Sequence, residues 1–308
     1  MHEQYMHRAL QLARGGEGRT APNPMVGAVV VADGRIIGEG FHRTYGGPHA
    51  EVNAIASASE ADRPLLKEAT IYVTLEPCSH YGKTPPCSKL IIETGIPRVV
   101  VGAPDPNPLV AGRGLRMLRE AGIEVTENVL LKECLEINAR FMTAQLQPRP
   151  WIQLKWAQSA DGFMAAKGDD GKPRPVKFSN PLSSVWMHRE RAAAMAIMVG
   201  RHTAEIDRPR LDVRLWAGKN PERIECGHDE DLHELMKEVR YRGITSIMIE
   251  GGPTLLESFI KEGLYDEIRV ETAPVILESG LPSPALPEGL KTMSREACRE
   301  NIITTFRR

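Results

Sequence analysis

The chain has 308 residues, enough for two ordinary domains and more than one small core requires. Its 39 basic and 40 acidic residues leave a net charge of −1, which argues against a general nucleic-acid coat or a membrane-surface role. No apolar run approaches the roughly 18 residues of a spanning helix, Met1 to Gly15 has no apolar signal core, and five cysteines do not suit a disulfide framework. A cytoplasmic protein is expected, with no membrane and no nucleic acid as partner.

In chain order, Tyr5, Met6, Ala9, Leu10 and Ala13 recur at helical spacing, and Gly15-Gly16 stop that helix. Ala28 to Val31 and Arg35 to Gly38 flank Asp33-Gly34, a hairpin signal. A small-residue helix is expected from His49 to Ser59, a buried strand over Thr70 to Leu75, and a helix from Cys87 to Thr94 closed by Gly95. Strand Arg98 to Gly102, helix Arg113 to Ala121, strand Ile123 to Thr126 and helix Lys132 to Ala144 follow. Such alternation predicts an α/β layer structure with a mostly parallel sheet behind an opening hairpin. Gln147-Pro148-Arg149-Pro150 disfavours helix and suits a linker, so the domains are expected over 1–146 and 147–308. Beyond it lie strand Trp151 to Trp156, helix Leu182 to Ala194, strand Ala196 to Gly200, helix Asp229 to Arg240, strand Ser246 to Glu250, helix Thr254 to Lys261 and strand Glu267 to Thr272. Lys167 to Lys177 reads as a mobile surface loop, and Cys134, Cys226 and Cys298 as ordinary buried thiols.

The most specific chemistry lies in His49-Ala50-Glu51, Glu76-Pro77-Cys78 and Pro86-Cys87. One imidazole and two thiolates suit a zinc ion whose fourth position stays open for water, which zinc acidifies towards neutrality. Glu51, two residues after His49, is placed to move that water's proton to a ring nitrogen and on to departing ammonia. Zinc deaminases carry H-x-E followed by P-C-x-x-C; here eight residues separate Cys78 from Cys87. Cys87 opens a helix, whose first amides favour thiolate. A structural zinc site is the alternative and needs a fourth ligand, which His80 could supply.

These residues resemble a known family. Residues 1 to about 146 are similar to the deaminase domain of the bifunctional riboflavin-biosynthesis deaminase–reductases. The resemblance rests on Pro22-Asn23-Pro24-Met25-Val26-Gly27, His49-Ala50-Glu51-Val52, the run Thr74 to Cys87, Asp105-Pro106-Asn107-Pro108 and Val110-Ala111-Gly112-Arg113-Gly114. The wide cysteine spacing is this family's form. The resemblance implies a cytidine-deaminase-like three-layer domain, a Zn2+ cofactor and a small-molecule pyrimidine ribosyl phosphate, 2,5-diamino-6-(5-phosphoribosylamino)pyrimidin-4(3H)-one, as substrate. Its 2-amino group would be replaced by oxygen. Asn23, His42, Lys83, Asp105 and Asn107 fall at the family's substrate positions. Independently, Lys83 lies between two zinc ligands and suits a phosphate, and Asn23 between prolines is a rigidly held amide.

From Ile152 the chain resembles the same family's dihydrofolate-reductase-like α/β domain, through Lys155 to Gly162, Ser179-Asn180-Pro181, Val199 to Thr203, Asp207 to Leu211, Arg214 and Glu250 to Thr254. The resemblance places NADPH at Ala157, Thr203, Asp207, Gly252, Pro253 and Thr254, and substrate at Arg191, Leu211, Arg214 and Glu250. It implies hydride transfer to ribosyl C1′ of 5-amino-6-(5-phosphoribosylamino)uracil, giving ribityl. The Gly251-Gly252 turn before a helix independently suits a phosphate, and arginines suit phosphate anchors. The chain departs from the family after Pro221-Glu222-Arg223-Ile224: Cys226-Gly227-His228 and the next helix follow at once, so a central piece is absent and the reductase domain is shortened. The segment before Ser179 also differs, as Pro175-Val176-Lys177-Phe178. An open sheet edge is expected, needing cover or a homo-oligomer. The alternative function is a deaminase whose second domain only binds or supports.

Overall fold

The computed structural model describes residues 2–81, 85–107 and 111–308, and only the backbone at His202, Ile206 and Asp207. The chain divides into two compact units, Met1–Gln147 and Pro148–Arg308.

In the first unit, α1 (His2–Ala13) buries the five residues Tyr5, Met6, Ala9, Leu10 and Ala13 on one face. Strands β1 (Gly27–Ala32) and β2 (Arg35–Phe41) form the expected hairpin. Asp33 and Gly34 both take positive φ at its turn, 51° and 72°, as a tight right-twisted hairpin requires. Then come α2 (Ala50–Ala56), β3 (Thr70–Leu75), α3 (Cys87–Thr94), β4 (Arg98–Ala103), α4 (Arg113–Glu120), β5 (Glu124–Thr126), α5 (Leu131–Ile137) and α6 (Ala139–Leu146). The sheet order is β2-β1-β3-β4-β5, antiparallel around β1 and parallel from β3 to β5. Side chains alternate across it. Val29, Val31, Tyr72 and Val100 pack with α1, α5 and α6, while Ala28, Val30, Ile71, Val73, Val99 and Val101 pack with α2, α3 and α4. Two apolar layers on one sheet give three layers. On β2, Gly40 lets α2 lie against the strand, because a Cβ there would sit 2.3 Å from the Ala54 nitrogen.

One expected helix is two. The Lys132–Ala144 reading breaks at Asn138, which sits between α5 and α6 at φ −108°. Its buried amide accepts from the Met25 N–H at 2.8 Å and donates to the Met25 carbonyl at 2.9 Å. An asparagine that serves a distant backbone need not continue a helix.

The second unit begins with β6 (Trp151–Gln158), β7 (Phe163–Lys167), β8 (Pro173–Pro175), α7 (Pro181–Ala193), β9 (Ala196–Gly200), α8 (Arg201–Asp207) and β10 (Glu222–Cys226). It continues with α9 (Leu232–Tyr241), β11 (Ser246–Glu250), α10 (Pro253–Lys261), β12 (Glu267–Thr272), β13 (Gly280–Pro282), β14 (Lys291–Cys298) and β15 (Asn301–Arg307). Its main sheet runs β10-β9-β11-β6-β12-β15-β14, with the first five strands parallel and β15 and β14 antiparallel. Strand β10 stands at the edge and is followed within a few residues by Asp231, which caps α9. The Lys167–Lys177 segment is not simply a loop: Pro173–Pro175 pairs with β7 in a small sheet ordered β13-β7-β8. The linker arginine Arg149 is fixed too. It makes a paired contact to Asp266 at 2.6 and 2.9 Å, and Asp266 also accepts from the Ile152 N–H.

Candidate active sites

The first site is assembled where elements begin or end. His49 occupies the N-cap of α2, Cys78 lies three residues beyond β3, and Cys87 is the first residue of α3. The His49 Nδ1 atom stands 3.6 Å from Cys78 Sγ and 3.4 Å from Cys87 Sγ. Zn–S bonds near 2.3 Å and Zn–N bonds near 2.0–2.1 Å at tetrahedral angles put S and N about 3.6 Å apart. The donor set therefore fits a tetrahedral zinc ion. Among the described residues this trio is the one cluster of metal-ligating groups, and His80 is exposed and outside it. Three ligands leave a place for water, which favours the catalytic over the structural reading.

The electrostatics of the trio follow from burial and proximity. The thiols act on one another: the contact with Cys87 holds the Cys78 thiol down at about 4 although burial opposes it, and Cys87 rises far above the usual thiol range. The Cys87 N–H also donates to Cys78 Sγ at 3.3 Å. His49 is raised by its contact with Cys78, against burial and with help from Glu51. Glu51 is 3 % exposed, and burial, with the Cys78 charge, pushes its carboxyl up to about 7. A carboxyl in that range can hold a proton or release it near neutrality.

Of the expected substrate residues, Asn23 and His42 reach the trio through the His49 ring, and Asp105 lies near enough to Cys78 to feel its charge. The Asn23 amide lies 3.3 Å from His42 Nε2, and the buried His42 ring meets the His49 ring edge-on at 5.5 Å. The Pro48 carbonyl lies 3.0 Å from His42 Nδ1, while burial, partly offset by that contact, lowers the ring's pKa. Asp105 accepts from the Asn107 N–H at 2.8 Å, and burial raises its carboxyl despite that bond. Lys83 lies outside the described residues.

Two contributors went unread as such in the sequence. Asn138 clamps the backbone of Met25, two residues from Asn23. Glu76, 4 % exposed, accepts backbone N–H bonds from Asp105, Gly112 and Gly114. The available signals were an asparagine inside a helical run and an acid in an otherwise apolar strand end.

The second site lies at the carboxyl ends of parallel strands. From β9 the chain moves outward to β10, while from β11 it crosses β6 to reach β12. Adjacent strands whose connections leave in opposite directions open a crevice, the usual ligand site of such sheets. Thr203 in α8 and Gly252, Pro253 and Thr254 at the start of α10 border it. Gly252 is the α10 N-cap, and a Cβ there would meet nothing within 4 Å, so its face is open to a phosphate. This cradle fits the pyrophosphate of a dinucleotide. Ala157 lies on β6 opposite Glu271. The Asp207 side chain is outside the described ones.

The four expected substrate residues of this domain converge on one another. Arg191, nearly buried, binds Glu250 through both oxygens at 3.0 and 2.7 Å and donates to the Asp212 carbonyl at 3.3 Å. Arg214 pairs with the Asp212 carboxylate at 2.5 Å, and Leu211, buried, sits beside it in the chain at φ 50°. Burial works to raise Glu250, but Lys155 and Arg191 outweigh it and bring its carboxyl below the ordinary range. Lys155 also lines a pocket with Met187, Glu190, Arg269 and Glu271.

Fold and sites together define a zinc-type pyrimidine deaminase domain joined to a dinucleotide-dependent reductase domain. The family model "Cytidine and deoxycytidylate deaminase zinc-binding region" matches residues 1–103, and "RibD C-terminal domain" matches 150–231 and 228–303. The riboflavin biosynthesis protein RibD of Aquifex aeolicus (strain VF5) is 39 % identical over 99 % of this chain and 98 % of its own. That of Escherichia coli (strain K12) is 35 % identical over 95 % and 93 %. The crystal structure of a diaminohydroxyphosphoribosylaminopyrimidine deaminase/5-amino-6-(5-phosphoribosylamino)uracil reductase from Thermotoga maritima, 34 % identical, covers 100 % of this chain and 98 % of its own with a TM-score of 0.89. The chain belongs to the RibD family of riboflavin-biosynthesis enzymes, bifunctional deaminase–reductases that use zinc and NADPH. The alignment with the Aquifex protein spans 355 positions against 308 residues here, so that relative carries residues this chain lacks. The two pieces matched in the second domain meet at 228–231, in the short turn between β10 and α9. No described helix is long and apolar enough to cross a membrane.

Proposed function

We propose that residues 1–146 replace the 2-amino group of 2,5-diamino-6-(5-phosphoribosylamino)pyrimidin-4(3H)-one by oxygen, and that residues 147–308 reduce the ribosyl group of the resulting uracil. The observation that carries the first step is the His49, Cys78 and Cys87 cluster with the buried Glu51 beside it. His49, Cys78 and Cys87 hold zinc, which when bound supplies a Lewis acid that makes water a nucleophile at neutral pH. Glu51 carries one proton from the attacking water to the ring nitrogen and a second, from the hydroxyl so formed, to the amino group that leaves as ammonia. Asn23 and His42 orient the pyrimidine edge, Asp105 and Asn107 hold the ribosyl side, and Lys83 takes the phosphate.

In the second domain, Gly252, Pro253 and Thr254 hold the NADPH pyrophosphate, with Ala157, Thr203 and Asp207 along the cofactor. Arg191, Leu211, Arg214 and Glu250 hold the substrate. These roles ask Arg191 and Arg214 to exchange part of their present carboxylate partners for phosphate, which a guanidinium's five donors permit. The shortened turn after β10 leaves the α10 cradle and the α8 segment in place, which supports an active reductase over a merely supporting domain. We further propose a cytoplasmic homo-oligomer. Five free cysteines suit a reducing compartment, and exposed Val275 and Ile276 with the β10 edge suit self-association.

The test is to supply the diaminopyrimidine phosphate with and without NADPH and identify the product. The uracil without NADPH and its ribityl derivative with it are expected. The uracil in both cases would leave the second domain a binding module.

A further inference from the structure

The Glu76 carboxylate lies two residues before the ligand Cys78, yet it faces the segment that carries Asp105 and Asn107. Its Oε2 accepts from the Asp105 N–H at 3.3 Å and the Gly112 N–H at 3.0 Å, and its Oε1 accepts from the Gly114 N–H at 3.0 Å. The Glu76 N–H donates to the Ala103 carbonyl, so the same residue joins the ends of β3 and β4. Gly112 is the N-cap of α4, at φ 74°, and has no side chain with which to cap it. Glu76 therefore supplies that cap from another strand, as an anion at a helix N-terminus. The fit is close: a Cβ at Gly114 would lie 2.0 Å from the Pro77 carbonyl oxygen. The backbone at Asp105, and again at Gly112 and Gly114, is thus held to the end of the strand that delivers Cys78, with Asn107 two residues beyond the first hold and bonded to Asp105.

We infer that Glu76 is a positioning residue of the deaminase site, holding the backbone at Asp105 and at the start of α4 in register with the zinc ligands. This rests on the reading of Asp105 and Asn107 as substrate contacts. An ionised carboxylate is the group for the task, since all three of its partners are donors and its bonds are charge-assisted. A side chain that places uniform binding contacts acts on KM more than on kcat.

The experiment uses the full chain loaded with zinc and compares wild type, Glu76→Gln, Glu76→Asp and Asp105→Ala. Zinc per chain, thermal unfolding, and KM and kcat for ammonia release from the diaminopyrimidine phosphate are measured. Glu76→Gln turns a donor towards a donor. It is expected to keep zinc and a cooperative transition while raising KM about tenfold or more with little change in kcat. Glu76→Asp, which keeps the charge, is expected to recover part of that loss. An unchanged KM in Glu76→Gln, with Asp105→Ala impaired, overturns the role of Glu76 alone. An unchanged KM in Asp105→Ala overturns the reading of the segment itself. Loss of zinc in Glu76→Gln assigns the residue to the metal site, and loss of cooperative unfolding in both Glu76 variants assigns it to domain stability; either overturns the inference. If only Glu76→Gln fails to fold, Glu76→Asp decides by the same KM criterion.

Discussion

The two domains prepare their sites in opposite ways. In the first, two sulfurs and an imidazole nitrogen converge within 4.8 Å and make hydrogen bonds to one another that suit a metal ion better than a proton. In the second, opposite charges already satisfy each other, Arg191 with Glu250 and Arg214 with Asp212. The first site is preorganised around a cation and changes little to work. On the proposed reading of Arg191 and Arg214 as phosphate anchors, the second re-pairs its charges when an anionic substrate enters, and binding energy goes into that exchange. Preorganisation lowers the cost of chemistry, while the pairing of Arg191 with Glu250 lowers the cost of keeping those two charges nearly buried.

The sharpest way to break this contrast is at Glu51. Glu51→Gln is expected to keep zinc and to lower ammonia release by roughly 10³-fold, the order lost with a general acid–base group. Metal analysis beside the ammonia assay checks both halves. A chelator that strips zinc is expected to abolish ammonia release and leave NADPH oxidation on the pre-formed uracil intact; loss of both would mean the sites are not independent.

The second site is probed at its pair. Glu250→Gln leaves Arg191 nearly buried without its anion, and a stability loss of about 3 kcal/mol is expected, read as a lower urea midpoint at unchanged m. The pH dependence has a defined sign. Folding lowers the Glu250 pKa from its ordinary 4.5, so its contribution is fully present above that value. It is lost as pH falls from 4.5 through the lower folded value. Urea midpoints between pH 6 and pH 3 are expected to fall more steeply in wild type than in Glu250→Gln. Equal slopes would remove the pair from the account.

Asn138→Ala has the smallest expected effect. It unpairs the Met25 N–H and carbonyl, worth about 1–3 kcal/mol, and releases the strand-entry loop that carries Asn23. A modest rise in KM for the pyrimidine with an unchanged zinc content is expected.

What could be read from the sequence divides along the same line. His49, Glu51, Cys78 and Cys87 were legible because each sits at an element boundary marked by a nearby proline or a change of pattern, and zinc restricts the residue types that can serve. The Arg191–Glu250 pair spans 59 positions and the Asn138–Met25 clamp 113, distances over which no periodic pattern extends. Asn138 also split a helix that hydropathy alone runs together. Strand β14 escaped notice because seven of its eight residues are not buried, so it lacks the alternation that marks a half-buried strand. Pro173–Pro175 reads as loop by composition and pairs as an edge strand, where proline is tolerated.

The most direct test of the account is isotopic. Turnover of the diaminopyrimidine phosphate in ¹⁸O-water, without NADPH, is followed by mass spectrometry of the uracil in wild type and in zinc-loaded Glu51→Gln. The account predicts one solvent oxygen incorporated per ammonia released by wild type, and neither product above background from the variant. Equal incorporation by the zinc-loaded variant would contradict it, since the proton would then be moved by something other than Glu51.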